Sequence, residues 1–135
     1  MYHMTTFDEE ISFEPDIVIV AYGTNDWKYY ETLGELKEHC CKFLDQLIER
    51  YGDKKIFAIS PIWRADNGEV ANMGSFESCV ACIKDEIIHH GLILIDGDIL
   101  MPQLSDFYSD GFLHPNTKGF GIYAINLIAQ LQRYL

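Results

Sequence analysis

The chain has 135 residues, 48% of them apolar and 23% charged, with a formal net charge of −11. That length and apolar share fit one domain with a buried core, and the charge sets the surface against nucleic-acid backbone, which excludes binding DNA or RNA through a basic face. No apolar run approaches the ~20 residues of a membrane helix, and no basic-then-apolar leader follows Met1, so a soluble, cytoplasmic protein without membrane contact is expected.

In chain order, "FDEEISFEPD" near the start is acidic and reads as solvated surface. Ile17 to Ala21 is a β-branched run of the kind found in parallel strands covered on both faces. It leads into Gly23-Thr24-Asn25-Asp26. Thr32-Leu33-Gly34-Glu35 matches a capping box. Leu33, Leu36, Cys40, Phe43, Leu44, Leu47, Ile48 and Tyr51 then form one helical stripe, with Gly52 as its stop. A second strand runs from Lys55 to Ser60 and ends at Pro61. Residues 62–74, "IWRADNGEVANMG", read as a loop with Asn67-Gly68 as a turn. Phe76, Val80, Ile83 and Ile87 mark a second helix that ends near Gly91, and Leu92 to Ile95 a third strand. An irregular stretch from Asp98 to Leu113 precedes a last helix starting around Asn116. Phe120, Ala124, Leu127, Ile128, Leu131 and Leu135 are expected on its buried face.

Strand, helix, strand, helix, strand, loop and helix in that order predict a single α/β domain over residues 1–135, with a parallel sheet and right-handed crossovers. The first strand is apolar enough to be central, yet only two strands follow it. Upstream, at best a short extended piece spans Tyr2 to Phe7. The first strand is therefore either an exposed edge, which is an association hazard, or is covered by something else. A homo-oligomer or a partner chain on that edge is the expectation.

Four cysteines remain to be placed. Cys79 and Cys82 have the spacing of a redox or zinc half-motif but lie within a helical pattern, and adjacent Cys40 and Cys41 point to different helix faces. Core thiols in a reducing compartment are expected, with no metal and no cofactor.

Ligands of open parallel sheets bind outside the carboxyl ends of the strands. Three features reach that edge: Gly23-Thr24-Asn25-Asp26, Ser60-Pro61-Ile62-Trp63-Arg64, and the loop leading to His114. His114 precedes Pro115 at a loop-to-helix junction, and Asp110 lies four residues earlier. A carboxylate on one imidazole nitrogen fixes the tautomer and leaves the other as a general base. Asn25 can donate to a developing oxyanion, a contact typically worth ~3 kcal/mol in the transition state. Each residue also has a plainer reading: Asp110-Gly111 as a turn, His114 as a capping residue, Asn25-Asp26 as an Asx turn. Their co-location on adjacent loops favours a site. Trp63 and Arg64 are candidates for lining a substrate pocket, weighed evenly against a half-buried indole and a surface arginine. Tyr29, Tyr30, Tyr108 and Tyr123 read as packing residues rather than a sugar site. Ser60 faces the right edge, but Pro61 removes a backbone donor that an oxyanion hole would want.

"GTND" at the end of an apolar strand, with "DGFLHPNTKGFGIYA" before the last helix, resembles the SGNH (GDSL-type) hydrolases from about Asp16 to Leu135. The resemblance implies a flavodoxin-like αβα sandwich and hydrolysis of acyl or carbohydrate esters through Ser-His-Asp. By motif, Asn25 becomes an oxyanion donor, His114 the general base and Asp110 its orienting carboxylate. Asp26 supports the loop, and Gly23 makes the turn that aims Asn25. Two departures stand out. The family usually places Asp three residues before His, whereas Leu113 makes it four here. The family's nucleophile sits in Gly-Asp-Ser after its first strand, and no Gly-Asp-Ser occurs in this sequence. The resemblance thus implies the carboxyl-terminal part of such a hydrolase, with about three strands, the first strands missing and the nucleophile absent. The alternative is a non-catalytic binding or assembly module that dimerises through the bare strand edge.

Overall fold

The computed structural model describes Met4 and residues 13–135. Its elements are β1 (Ile17–Ala21), α1 (Leu33–Tyr51), β2 (Lys55–Ile59), a small hairpin of β3 (Val70–Ala71) and β4 (Gly74–Ser75), α2 (Phe76–His89), β5 (Ile93–Ile95) and α3 (Thr117–Leu131). Single 3-10 turns lie at Asp26–Lys28, Gly97–Ile99 and Ser105–Phe107. Among the described residues no helix is long and apolar enough to cross a membrane.

Local chemistry sets the helix starts. The Thr32 hydroxyl accepts from the Glu35 amide at 3.1 Å while the Glu35 carboxylate accepts from the Thr32 amide at 3.3 Å, so the expected capping box forms. Such a cap is worth about 1 kcal/mol. Ser75 caps α2 in the same manner, accepting from the Ser78 amide at 3.1 Å. The hairpin of β3 and β4 occupies part of the stretch that reads in the sequence as plain loop.

β1, β2 and β5 form a parallel sheet in the order β1-β2-β5. β2 is therefore the central strand and β1 an edge among the described residues. The extended piece expected at Tyr2 to Phe7 lies outside the described residues, Met4 apart. On one face of the sheet, Leu36, Cys40, Phe43, Leu44 and Leu47 of α1 and Cys79, Val80, Ile83 and Ile87 of α2 pack over Ile56 and Ala58. On the other, Tyr123, Leu127 and Leu131 of α3 pack against Phe57, Ile59, Ile95 and Leu100. The two helical layers make the αβα sandwich that the family resemblance implied.

The second layer corrects one expectation. The helical pattern places Phe120, Ala124, Ile128 and Leu135 inside, but Phe120 is 58% exposed, Ile128 55% and Leu135 68%, and Ala124 is exposed too. Register explains it. Ile19 pairs with Phe57, so side-chain alternation puts both on the α3 face. α3 lies over β2 and β5, and among the described residues nothing packs over the β1 side of that face, where Ile19 is 40% exposed. A helix that covers two strands buries one narrow stripe, and the rest of its apolar surface stays outside.

Candidate active site

The carboxyl edge of the sheet carries three loops. The first leaves β1 through Gly23, whose φ of 112° is left-handed and where an added Cβ would stand 2.4 Å from Ile83 Cδ1. Only glycine fits both demands. The chain then turns so that half-buried Asn25 opens the 3-10 turn at Asp26–Lys28. Asp26 is fully buried, and its Oδ1 accepts the Met4 amide at 3.0 Å. Trp27, also fully buried, donates its indole N–H to the Gly74 carbonyl at 2.9 Å.

The second loop follows β2. Ser60 is 1% exposed, accepts the Gly97 amide at 2.9 Å and stands 3.5 Å from Asp96 Oδ1, so its hydroxyl ties β2 to the end of β5. That placement removes it as a surface nucleophile. Arg64 is 5% exposed. Its Nη1 donates to the Thr24 carbonyl at 2.9 Å, and its Nε and Nη2 hold the two oxygens of Asp66 at 2.5 and 2.8 Å. The guanidinium lies 4.9 Å over the Trp27 ring and 5.5 Å over Phe76. Arg64 holds Asp66 well below the ordinary carboxylate value, at about 2, against the opposing effect of burial and with help from Lys28 at 2.9 Å. The donors of Arg64 are thus engaged inside the protein, on the neighbour of Asn25. The Arg64-x-Asp66 spacing is the sequence signal for this pair, and it does not stand out until the fold closes around it.

The third loop carries the imidazole. It closes at its base through Asn116 N–H to Phe107 O at 2.9 Å, a bridge between Tyr108 and Pro115, and Ser109 N–H to His114 O at 2.7 Å. Gly111, at φ 79°, turns the tip. Asp110 folds back inside this loop. Its Oδ1 accepts the amides of Phe112, Leu113 and His114 at 3.0, 2.8 and 3.1 Å, and its Oδ2 meets His114 Nδ1 at 2.5 Å. The extra residue Leu113 is accommodated because it supplies one of those three amides, and the carboxylate still reaches the ring. Desolvation pushes the Asp110 carboxyl up, but the Leu113 and Phe112 amides, the His114 ring and the His114 amide outweigh it and hold it well below the usual range. With Nδ1–H donating to the carboxylate, Nε2 keeps the lone pair. The His114 side chain is 72% exposed.

The loops are tied to one another. Ala65 N–H donates to Phe112 O at 3.0 Å, Tyr108 Oη–H donates to Trp63 O at 3.0 Å, and the Trp63 and Tyr108 rings meet at 5.3 Å. Tyr108, expected to be a packing residue, is 4% exposed and is also this latch. Residues 63–65 therefore bind the Asn25 loop through Arg64 and the His114 loop through their backbone. Half-buried Trp63 also lines an open cleft of about 590 Å³, with Asn67, Glu77, Lys84, Asp98 and Gln103 around it.

A parallel α/β sheet with an acid–imidazole pair at its carboxyl edge is an arrangement of hydrolases that use a histidine base. A sequence profile of the GDSL-like Lipase/Acylhydrolase family matches residues 4–122, and the chain belongs to that family. Among solved structures, one from Lactobacillus plantarum is 20% identical with a TM-score of 0.77, over 94% of this chain and 71% of that one. A peptidoglycan O-acetylesterase is 15% identical with a TM-score of 0.72, over 87% of this chain and 37% of that one. An acetyl xylan esterase from Geobacillus stearothermophilus is 16% identical with a TM-score of 0.67, over 92% of this chain and 63% of that one. At these identities the likeness is one of fold, and the chain spans well under the full length of each. A search of curated proteins gave no match.

Proposed function

We propose that this chain forms the base and oxyanion side of an acyl-ester hydrolase site. The observation that carries the reading is Asp110 Oδ2 at 2.5 Å from His114 Nδ1, with the ring exposed at the carboxyl edge of the sheet. In the proposed reaction His114 Nε2 takes the proton of an attacking serine hydroxyl, and the oxygen adds to the ester carbonyl. The Asn25 amide donates to the tetrahedral oxyanion. His114 then returns the proton to the departing alcohol, and a water deprotonated by the same nitrogen releases the acyl group. Asp110 orients the ring throughout. Gly23 and Asp26 hold the Asn25 turn, and Arg64 is a positioning residue rather than a substrate contact, fixing Thr24 beside Asn25. Trp63 and its cleft take the alcohol side of the ester. An indole face with amide, carboxylate and ammonium groups around it suits a hydroxyl-rich, carbohydrate-like alcohol.

With no Gly-Asp-Ser in the sequence and Ser60 buried, the attacking hydroxyl in this reading is supplied from outside these 135 residues, and the chain alone turns over weakly or not at all. The same observation favours one other reading, a binding module that keeps the cleft without the chemistry. Hydrolysis of a short chromogenic acetate separates the two. The chain is assayed alone and joined to a family segment whose strand ends in Gly-Asp-Ser, each with and without His114→Ala. Activity that appears on joining and disappears in His114→Ala supports the hydrolase. Inactivity of the joined protein, or activity indifferent to His114, ends that reading.

A further inference from the structure

Cys79 and Cys82 carry the spacing of a metal half-motif in the sequence, but the structure assembles a different group. α1 and α2 pack side by side on the same face of the sheet. Lys37, Cys41 and Asp45 follow one another at four-residue intervals along α1. Cys82, Glu86 and His90 do the same along α2 and its C-cap. Residues at that spacing share one helix face, and the two rows meet. Cys41 Sγ–H donates to Glu86 Oε2 at 3.1 Å, Lys37 Nζ lies 3.0 Å from Glu86 Oε1, and His90 Nε2 lies 3.5 Å from Asp45 Oδ1. His90 Nδ1 is 2.7 Å from the Glu86 carbonyl. A donor atom of Cys41, one of Glu86 and one of His90 all stand within 4.8 Å of one another.

We propose that Cys41, Glu86 and His90 form a zinc site, with Asp45 completing the coordination. Zinc binds thiolate, imidazole and carboxylate at about 2.0–2.3 Å in a tetrahedron, which places its ligand atoms roughly 3.3–3.8 Å apart. The donor atoms of Cys41, Glu86 and His90, all within 4.8 Å of one another, need to close by up to about 1.5 Å, and Asp45 enters beside His90, from whose Nε2 its Oδ1 stands 3.5 Å. The donor set excludes calcium and magnesium, which take oxygen alone, and suits zinc among the available divalent ions. The His90 ring presents Nε2 to Asp45 Oδ1 at 3.5 Å and Nδ1 to Glu86 Oε2 at 4.0 Å. An Nδ1–H held by a backbone carbonyl leaves Nε2 with its lone pair and fixes the ring, the usual outer support of a metal-bound histidine. Lys37 is the cation that Glu86 holds now, at 3.0 Å. Its side chain is 61% exposed, against a Glu86 side chain only 7% exposed. A metal ion can replace that ammonium as Lys37 swings into water. On binding, the Cys41 S–H bond breaks, the sulfur keeps the electron pair and bonds zinc, and the proton goes to solvent.

The site lies away from the His114 loop, since α2 runs back from the carboxyl edge and His90 ends it just before β5. Zinc there would clip α1 to α2 and leave the ester chemistry untouched. The test uses the whole chain, stripped with a chelator and titrated with zinc alone by calorimetry, and with cobalt followed by absorbance. The proposal expects one equivalent of zinc, a thiolate-to-cobalt charge-transfer band in the near ultraviolet, and a higher Tm with zinc. Cys41→Ser and His90→Ala should each weaken zinc by at least about tenfold and abolish the Tm shift, while His89→Ala, on the same helix, leaves both unchanged. Absence of stoichiometric binding overturns it. So does binding that both variants retain, or a cobalt complex without the sulfur band.

Discussion

The two loops proposed to share the chemistry are built in opposite ways. The Asn25 loop stands on buried charge: Asp26 is fully buried, Arg64 is 5% exposed, and Asp66 is clasped by both Arg64 and Lys28. The His114 loop stands on backbone amides, with one carboxylate accepting three of them and its imidazole 72% exposed. A fixed oxyanion donor gains from rigidity because its dipole must already point at the charge that develops. A base that exchanges protons with substrate and water needs access, so its orientation comes from a single partner rather than from packing.

Four experiments strain this contrast, taken from the largest expected effect to the smallest. In the joined, active protein, His114→Ala should lower ester turnover by at least about a thousandfold. It should leave stability within about 0.5 kcal/mol, as an exposed side chain implies. A large loss of Tm instead would mean that the imidazole is structural. Arg64→Ala should do the reverse to the fold, costing about 2 kcal/mol in denaturant unfolding because the Thr24 carbonyl loses its donor, Asp66 keeps Lys28 alone and the space over the Trp27 ring empties. Arg64→Lys should not restore the loss, since a single ammonium cannot span both Asp66 oxygens and the Thr24 carbonyl. A neutral Arg64→Ala would dissolve the contrast between the loops.

Acid supplies the third. Asp66 has a folded value of about 2 against an ordinary 3.8, so its contribution is complete above pH ~4 and is lost as pH falls toward 2, at most about 2 kcal/mol. Stability of the wild type should drop through that window, and Asp66→Asn should flatten the drop at the cost of lower stability at neutral pH. Asp110 is also depressed, and the order of the His114 loop, followed by proton exchange of the Phe112 and Leu113 amides, should persist below the ordinary carboxylate range before it fails. The smallest effect is expected on α3. Ile125 is 69% exposed, and Ile125→Ser should change stability by no more than about 0.5 kcal/mol. A larger loss would show that the open side of α3 is covered in solution.

Much of this molecule follows from short-range rules. Ile17 to Ala21 is a strand because β-branched residues run unbroken. α1 begins at Thr32 because Thr32 and Glu35 satisfy each other's amides, and the order of elements selects a parallel sheet. The contact between Asp110 and His114 was legible from an acid four residues before a histidine that precedes Pro115 at a helix start. The amino-acid order could not say which strand is central, because that depends on which edges find partners, and among the described residues β2 rather than β1 holds the middle. Nor could it say which stripe of α3 turns inward, because Phe120 and Ile128 are as apolar as Leu127 and only the span of two strands beneath the helix chooses between them. Arg64 read equally well as a pocket-lining or a surface residue, and only the fold placed Thr24, Asp66 and Trp27 around it. Cys41, Glu86 and His90 meet only because two helices lie side by side. Patterns within one or two turns are fixed by neighbours in the chain; contacts between residues tens of positions apart exist only once packing has selected them.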